Sequence, residues 1–216
     1  MTVRPRFRVV HGSGRSAAAG EQPRSDAEIL AGLESREHWA AAALYDRIHA
    51  VVERTLARVL QHRGSDFDDL TQDTFERIVR TLLERRFAAG CSLTTWAAAI
   101  ATNVAIDALR AQTRKRRIFA LDPVDAAEGL AGSCHSADDR LEARAEIVRL
   151  QVVLGSMRPD RAQAVFMHDL LGHNLAELAA IAGVTVAAAQ SRLVRGRAEF
   201  LRKARLPAEE GPGHED

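Results

Sequence analysis

The sequence predicts an all-α protein made of two small helical domains joined by a flexible linker. Apolar residues form 46% of the 216 residues but aromatic residues only 5%, and the β-branched runs that build strands are rare. A chain of this length holds either one large domain or two small ones. Because the helical periodicity of apolar residues is interrupted after the middle of the chain, we expect two domains.

The interruption divides the chain into five expected segments. Residues 118–139 contain Pro, Gly and several acids without sustained periodicity, which is typical of an interdomain linker. The first residues are rich in Arg, Gly and Ser and lack apolar periodicity, which favours disorder. The segments are a flexible N-terminal arm (1–24), a first domain (25–117), an acidic linker (118–139), a second domain (140–206) and a C-terminal tail (207–216).

Composition indicates where in the cell the protein is expected and whether it is expected to bind a metal or another cofactor. The N-terminus lacks an apolar signal core, and no apolar stretch approaches the length that spans a bilayer, so we expect a cytoplasmic protein without membrane insertion. Two cysteines are too few for a disulfide framework. Cys134 and His135 lie together in the linker, but a metal site needs more ligands at set spacing. We therefore predict neither a metal nor another cofactor.

The first domain is predicted to begin with two helices and a third, amphipathic one. Ser25 or Asp26, with Glu28, marks the start of the first pair, and Gly64 marks its end. Ser65 is the expected N-cap of the third helix. Its wheel has an apolar side formed by Phe67, Leu70, Ile78 and Leu82. The opposite side is acidic and consists of Asp69, Gln72, Asp73 and Glu76. Such a side is usually only solvated, so by itself it identifies no partner.

A fourth helix, between Leu93 and Arg117, carries a polar stripe. At about 100° per residue one side of it presents Trp96, Asn103, Asp107, Arg110 and Arg114, followed directly by Lys115, Arg116 and Arg117. The cations can hold phosphates, and the amide and indole groups can contact bases. A solvated helix end whose cations complement the helix dipole explains the terminal cations equally well. A second element is needed to choose between the two interpretations.

The second domain supplies that element as a helix-turn-helix pattern. A short helix, a turn containing Gly and a longer helix follow two earlier helices. The expected boundaries are Leu141 and Leu154 for one helix, Pro159 and Gly172 for the next, a capping box of Asn174 with Glu177 and an end at Gly183 for the short helix, and Thr185 as the cap of the last.

The last helix has a side suited to a DNA groove. Ala188, Ser191, Arg192 and Arg195 lie opposite its apolar side, near the helix start, where a recognition helix meets base edges. Two such helices joined by an acidic linker imply contact with DNA at two places. The net charge is only +1, but acidic and basic blocks alternate along the chain, which suits a protein that touches both a polyanion and a basic protein surface.

Three motifs occur in order and carry a family resemblance. They are DDLTQDTF at 68–75, W-x3-IA-x-N-x-AID-x-LR from Trp96 to Arg110, and GVTVAAAQSRLVRGR at 183–197. From about Ala43 to Arg205 the chain resembles the two-domain bacterial sigma factors of the extracytoplasmic-function (ECF) group of the sigma-70 family. The resemblance implies a non-enzymatic, dissociable subunit of RNA polymerase, with a region 2 helical bundle followed by a region 4 helix-turn-helix domain.

The resemblance also implies a role for each surface. The acidic side of the third helix would bind the clamp helices of core RNA polymerase. The stripe from Trp96 to Arg117 would bind and melt the minus-10 element of promoter DNA, with a flipped base near Asn103. The side of the last helix from Ala188 to Arg195 would read the minus-35 element. An anti-sigma factor is a further expected partner. The chain has Gln190 where the family commonly has lysine, so one phosphate contact is missing.

Two other functions remain open at the level of sequence. A helix-turn-helix regulator that binds an operator as a dimer would share the recognition helix but would not need the acidic side of the third helix. A helical metalloenzyme is conceivable from the eight histidines and many acids, although neither an HExxH motif nor a closely spaced ligand set occurs in the sequence.

Overall fold

The computed structural model describes residues 24–61, 63–85, 87, 90–119 and 137–205, and all regular elements in these ranges are helical. The predicted all-α class is confirmed. In order, the elements are α1 (Asp26–Glu34), α2 (Ala40–Leu60), α3 (Phe67–Leu83), α4 (Leu93–Phe119), α5 (Ala137–Ser156), α6 (Pro159–Val165), a π-helical segment (Phe166–Leu170), α7 (Leu175–Ala182) and α8 (Val186–Arg205). The expectations for residues 1–23, for the linker between 120 and 136 with Cys134 and His135, and for the tail fall outside the described residues.

The start of α1 is capped as predicted. The Ser25 hydroxyl accepts a hydrogen bond from the Glu28 backbone N–H at 3.2 Å, and the Glu28 carboxylate accepts one from the Ser25 N–H at 2.6 Å. The Ser25 backbone and hydroxyl donors lower the pKa of Glu28, because they stabilise its charged form. This reciprocal pair satisfies N–H groups that the helix itself leaves unpaired.

Two predicted boundaries around α3 are wrong. Helix α2 ends at Leu60 rather than near Gly64, because Gln61 adopts the left-handed conformation with φ 57°. Asp66, not Ser65, is the N-cap of α3, and the Ser65 hydroxyl donates instead to the Asp66 carboxylate at 2.9 Å. Neither side chain caps α3 with a hydrogen bond, so the preference of Ser for the N-cap position did not decide where this helix begins.

The second domain follows its predicted boundary signals except in α5. That helix runs over Ala137–Ser156, longer than the predicted 141–154. Pro159 is the first residue of α6, where its missing N–H costs no hydrogen bond. Asn174 and Glu177 form a capping box, Gly183 ends α7 with φ 61°, and the Thr185 hydroxyl accepts from the Ala188 N–H at 3.2 Å.

Helix α4 lies at the centre of the molecule and contacts helices of both predicted domains. It packs against α2 and α3 of the first domain and against α5, α6 and α7 of the second. Ala97, Ala101 and Ala105 are fully buried along it, and their small side chains let neighbouring helices approach closely. The described helices of both domains therefore share one continuous apolar core, and α4 is held from several sides.

Within the described residues, each helix taken singly is too short or too polar to cross a membrane, while the bent pair of α7 and α8 passes a test of length and composition together.

Candidate nucleic-acid interface

The acidic side of α3 points outward. Asp69, Gln72 and Asp73 are exposed and Glu76 is partly exposed, and the Gln72 amide donates to the Glu76 carboxylate at 3.2 Å. The other side of α3 is fixed in the core, where the buried residues are Phe67, Thr74 and Ile78. Because that side is buried, the acidic side has one orientation available to it.

The polar stripe of α4 divides into exposed and buried members. Asn103, Asp107, Arg114 and Lys115 are exposed and Arg110 is partly buried, while Arg116 and Arg117 are described only as helical backbone. Trp96 is 8% exposed and packs edge-on against Phe87, with ring centroids 5.1 Å apart. In this arrangement the indole is a core residue and is not offered to a base. The expectation that Trp96 belongs to the DNA-facing stripe is thus corrected.

Two exposed or partly exposed members of the stripe already have protein partners. The Asp107 carboxylate lies 3.3 Å from Arg77 of α3. The Arg110 guanidinium donates to the backbone carbonyls of Gly155 at 3.1 Å and Met157 at 2.5 Å. Asn103 and Asp107 line one wall of a cleft of about 360 Å³ whose other wall includes Pro159, Asp160 and Gln163.

The start of α4 is positioned by Asp26, which the sequence indicated only as a start signal of the first helix. The Asp26 carboxylate accepts hydrogen bonds from the Leu93 N–H at 2.8 Å and from Arg47 at 2.6 Å. An acid in the first turn of α1 is fully explained by the helix dipole. Its second role, which ties α1, α2 and α4 together, therefore left no separate signal in the sequence.

Helices α7 and α8 have the geometry of a helix-turn-helix unit. Their axes differ in direction by 102°, within the range of such motifs. Ala189 and Leu193 are buried, which turns the opposite side of α8 outward. On that side Arg195 is exposed, and Ala188, Ser191 and Arg192 are partly exposed. The predicted minus-35 residues are thus brought together on one accessible side.

Three ion pairs join α8 to the preceding elements: Arg192 lies 4.0 Å from Asp160, and two closer pairs brace the helix. Arg197 donates to the Asp169 carboxylate at 2.9 and 2.5 Å, and these bonds hold the pKa of Asp169 below its ordinary value. Glu199 is 8% exposed and accepts from Arg161 at 2.7 Å and from the Arg158 N–H at 3.3 Å. Burial alone raises the pKa of Glu199, but these hydrogen bonds outweigh it, so the net shift is downward.

The sequence analysis gave Glu199 no role, although a signal was present. It is the single acid between Arg192 and Arg205, in a helix whose other charged residues are all cations. An acid that is alone among the cations of a helix is a candidate for a buried ion pair.

In the described part of the chain, no group of three or more His, Cys, Asp or Glu residues is arranged to hold a metal ion.

Comparison with known families finds two matches in chain order. The family model described as "Sigma-70 region 2" matches residues 44–115, and the model described as "Sigma-70, region 4" matches residues 147–200. The first match contains α3 and the exposed stripe of α4, and the second contains α7 and α8.

The individual relatives that match are named as RNA polymerase sigma factors. The ECF RNA polymerase sigma factor SigM of Mycobacterium tuberculosis is 27% identical over 183 residues, which cover 85% of this chain and 86% of the relative. The probable RNA polymerase sigma-C factor of Mycobacterium bovis is 30% identical over 138 residues, 63% of this chain and 69% of the relative. Among solved structures, CnrH in complex with the cytosolic domain of CnrY matches with a TM-score of 0.47 at 23% identity, covering 84% of this chain and 99% of that chain.

Proposed function

Because the chain belongs to the ECF group of the sigma-70 family of RNA polymerase sigma factors, we propose that it binds core RNA polymerase and directs initiation at promoters through two separate DNA contacts. The observation that carries this proposal is the joint match of regions 2 and 4 on a chain whose α4 and α8 both present exposed cations. The polymerase supplies catalysis, and the cytoplasm, where the polymerase works, is the proposed location.

The proposed polymerase contact is the acidic side of α3. Asp69, Asp73 and Glu76 place three carboxylates on one exposed or partly exposed side, with the amide of Gln72 among them. A rigid negative surface steers and orients a basic partner surface. Since the opposite side of α3 is fixed in the core, docking of the polymerase on the acidic side needs no rearrangement of the helix.

The proposed minus-10 contact is the exposed part of the α4 stripe together with the partly buried Arg110. Arg110, Arg114 and Lys115 can neutralise phosphates, and Asn103 can hydrogen-bond the edge of a flipped base. Unstacking a base costs a few kcal/mol, which binding in a pocket offsets. Arg116 and Arg117 extend the proposed contact along the strand. Trp96 is left out because it is buried.

The proposed minus-35 contact is the outward side of α8. Arg192 and Arg195 are the proposed base and phosphate contacts, while Ala188 and Ser191 allow the helix to approach the groove floor. Because Gln190 replaces a cation common in the family and alanines offer no hydrogen bonds, we propose that shape supplies part of the readout. An anti-sigma factor that covers these surfaces is a further proposed partner.

The two main contacts are separable by a pair of substitutions. Asp69→Arg should weaken capture of the chain by core polymerase, because it places a cation against a basic surface. Asn103→Ala should leave capture intact and reduce the fraction of promoter opened, measured by permanganate reactivity of unpaired thymines. Run-off transcription on random promoter pools would identify a promoter for these assays.

Matched controls exist for both substitutions. Asp46→Arg makes the same charge change at an exposed position of α2, and Gln112→Ala removes an amide from the side of α4 opposite Asn103. Equal capture of Asp69→Arg and Asp46→Arg would remove the proposed polymerase contact. Equal opening by Asn103→Ala and Gln112→Ala would remove the proposed base contact. If the wild-type chain never associates with polymerase under conditions in which a control sigma factor does, the proposed function is rejected. The remaining candidate is then a regulator that binds an operator as a dimer.

A further inference from the structure

One acid interrupts the cations and the amide of the α4 stripe. Asp107 lies one helical turn after Asn103, and both side chains are exposed. A carboxylate on a surface that receives DNA repels the phosphates of the incoming strand. An acid at this position therefore weakens DNA binding unless its charge is used by another group of the protein.

The group that meets Asp107 is a cation on the neighbouring helix. Nη1 of Arg77 in α3 lies 3.3 Å from the Asp107 carboxylate, and the two side chains are 44% and 52% exposed. An ion pair that is so open to solvent adds little to stability. The fold gains little from this pair, whereas the direction in which the Arg77 side chain points is set by it.

The ion pair leaves most of the Arg77 guanidinium open. A guanidinium carries five N–H donors in a planar fork. Nη1 donates to Asp107, and within the described residues the guanidinium has no second side-chain partner. Its Nε and Nη2 donors therefore remain able to bind a phosphate, which accepts hydrogen bonds from two such donors at once.

Arg77 shares a cleft with Asn103. The two residues line this cleft together with Asp107, although they belong to different helices. A base that reaches Asn103 brings its own phosphates into the cleft, because base and phosphate are parts of one nucleotide. A guanidinium on the cleft wall can hold the strand in register by binding these phosphates. A helical wheel of α4 alone cannot include this residue.

We propose that Arg77 is a further DNA-binding residue of the minus-10 contact and that Asp107 is the positioning residue that orients it. The inference rests on the proposed role of α4 in DNA binding. Arg77 donates to a phosphate of the strand whose base lies at Asn103, while Asp107 holds Nη1. Asp107 thus acts on DNA through Arg77 and makes no base contact of its own.

The DNA contact of Arg77 can be tested by the salt dependence of promoter binding. Core polymerase saturated with each full-length variant is titrated against a promoter whose minus-10 segment is already unpaired, so that melting does not enter the measurement. Arg77→Gln should weaken binding about tenfold, the effect of one hydrogen bond to a charged group. It should also make the plot of log affinity against log salt shallower by about 0.7, the value for one phosphate contact on a single strand.

A matched variant and a conservative variant accompany this measurement. Arg54→Gln removes the same charge from an exposed position of α2 outside the cleft and should leave affinity and slope unchanged. Arg77→Lys keeps the charge, so it should restore the slope but only part of the affinity, because an ammonium lacks the fork. Equal values for Arg77→Gln and Arg54→Gln, or a slope for Arg77→Lys as shallow as that for Arg77→Gln, would overturn the phosphate contact.

The positioning role of Asp107 needs a double-mutant cycle. Asp107→Asn should weaken binding about threefold when Arg77 is present, because the guanidinium loses its orientation. In the Arg77→Gln background it should not weaken binding, since no guanidinium is left to orient. Equal weakening in both backgrounds would mean that Asp107 contacts the DNA directly, and stronger binding by Asp107→Asn alone would mean that it only repels DNA. Either result overturns the positioning role.

Two further measurements separate this inference from its premises. Because the pair is about half exposed, all variants should keep the wild-type midpoint in urea denaturation, which shows that they are folded. If the wild-type chain fails to bind polymerase where a control sigma factor binds, the proposed function is rejected. If the wild type binds polymerase and promoter and the Arg77 variants bind equally well, only the role of Arg77 is rejected.

Discussion

The ion pair of Glu199 allows a quantitative prediction about the helix-turn-helix domain. Glu199→Gln keeps the shape of the side chain and removes its charge. In the folded protein that charge is met by Arg161 at 2.7 Å and by the Arg158 N–H at 3.3 Å, and Glu199 is 8% exposed against 24% for Arg161. The substitution therefore acts on a pair of which one partner is buried and the other can still reach water.

The expected loss follows from these exposures. Breaking a fully buried ion pair costs about 3–5 kcal/mol, and a hydrogen bond to a charged group contributes about 1.5–3 kcal/mol. Because Arg161 can be rehydrated and glutamine still accepts one hydrogen bond, we expect the free energy of unfolding to fall by about 2 kcal/mol at pH 7. Urea denaturation followed by circular dichroism measures this difference.

The pH dependence gives an independent check. The folded-state pKa of Glu199 lies below its ordinary value of 4.5, so its contribution to stability is fully present above that value and is lost as pH falls through the folded pKa. The difference between wild type and Glu199→Gln should therefore shrink in acid. If this difference in the free energy of unfolding disappeared at high pH instead, the direction inferred for the Glu199 pKa shift would be wrong.

A matched control distinguishes this pair from surface charge. Glu146 pairs with Arg149 at 3.3 Å, and both side chains are about half exposed. Exposed pairs of this kind contribute about 0–1 kcal/mol, so Glu146→Gln should change stability little. If Glu199→Gln cost no more than Glu146→Gln, the proposed bracing of α8 by Glu199 would be refuted.

Three further substitutions test other parts of the fold. Asn174→Ala removes the cap of α7 and should cost about 1 kcal/mol in urea denaturation; an unchanged midpoint would show that the capping box contributes nothing. Gly196→Val places a side chain where its Cβ would meet Val165 at 2.7 Å and the Arg161 carbonyl oxygen at 2.9 Å. It should cost about 1–3 kcal/mol and weaken minus-35 binding in a gel-shift assay, and full retention of both would contradict the close packing of α6 and α8. Trp96→Ala should cost about 3–5 kcal/mol, whereas normal stability with lost promoter opening would return Trp96 to the DNA-binding surface.

Several features of the fold were predictable because their causes are local. The capping boxes at Ser25 and Asn174, the left-handed Gly183 and the first-turn position of Pro159 each depend on residues within four positions of one another. The acidic side of α3 was predictable from periodicity for the same reason. The boundary errors at Gly64 and Ser65 arose where the expected signal was not used: the left-handed residue is Gln61 instead of a glycine, and no side chain caps the start of α3.

The candidate site residues also fall into two groups, those whose placement a local pattern predicts and those whose placement depends on packing. A helical wheel gives the angular relation between residues of one helix, so the grouping of Asn103, Asp107 and Arg110 followed from the sequence. It does not tell which sides of a helix its neighbours cover. Trp96 lies in the core, and Arg110 is bound by carbonyls 45 and 47 residues away, because α4 is packed from several sides.

Local hydrogen bonds, charge blocks and ordered motifs were thus enough to establish an all-α chain with two candidate DNA-binding helices. Contacts between distant segments required the assembled molecule: Asp26 meets Leu93 across 67 residues, and Gln151 meets Leu60 across 91. Such pairs form only when helices pack, and packing depends on the shapes of all neighbours at once rather than on any short stretch of residues.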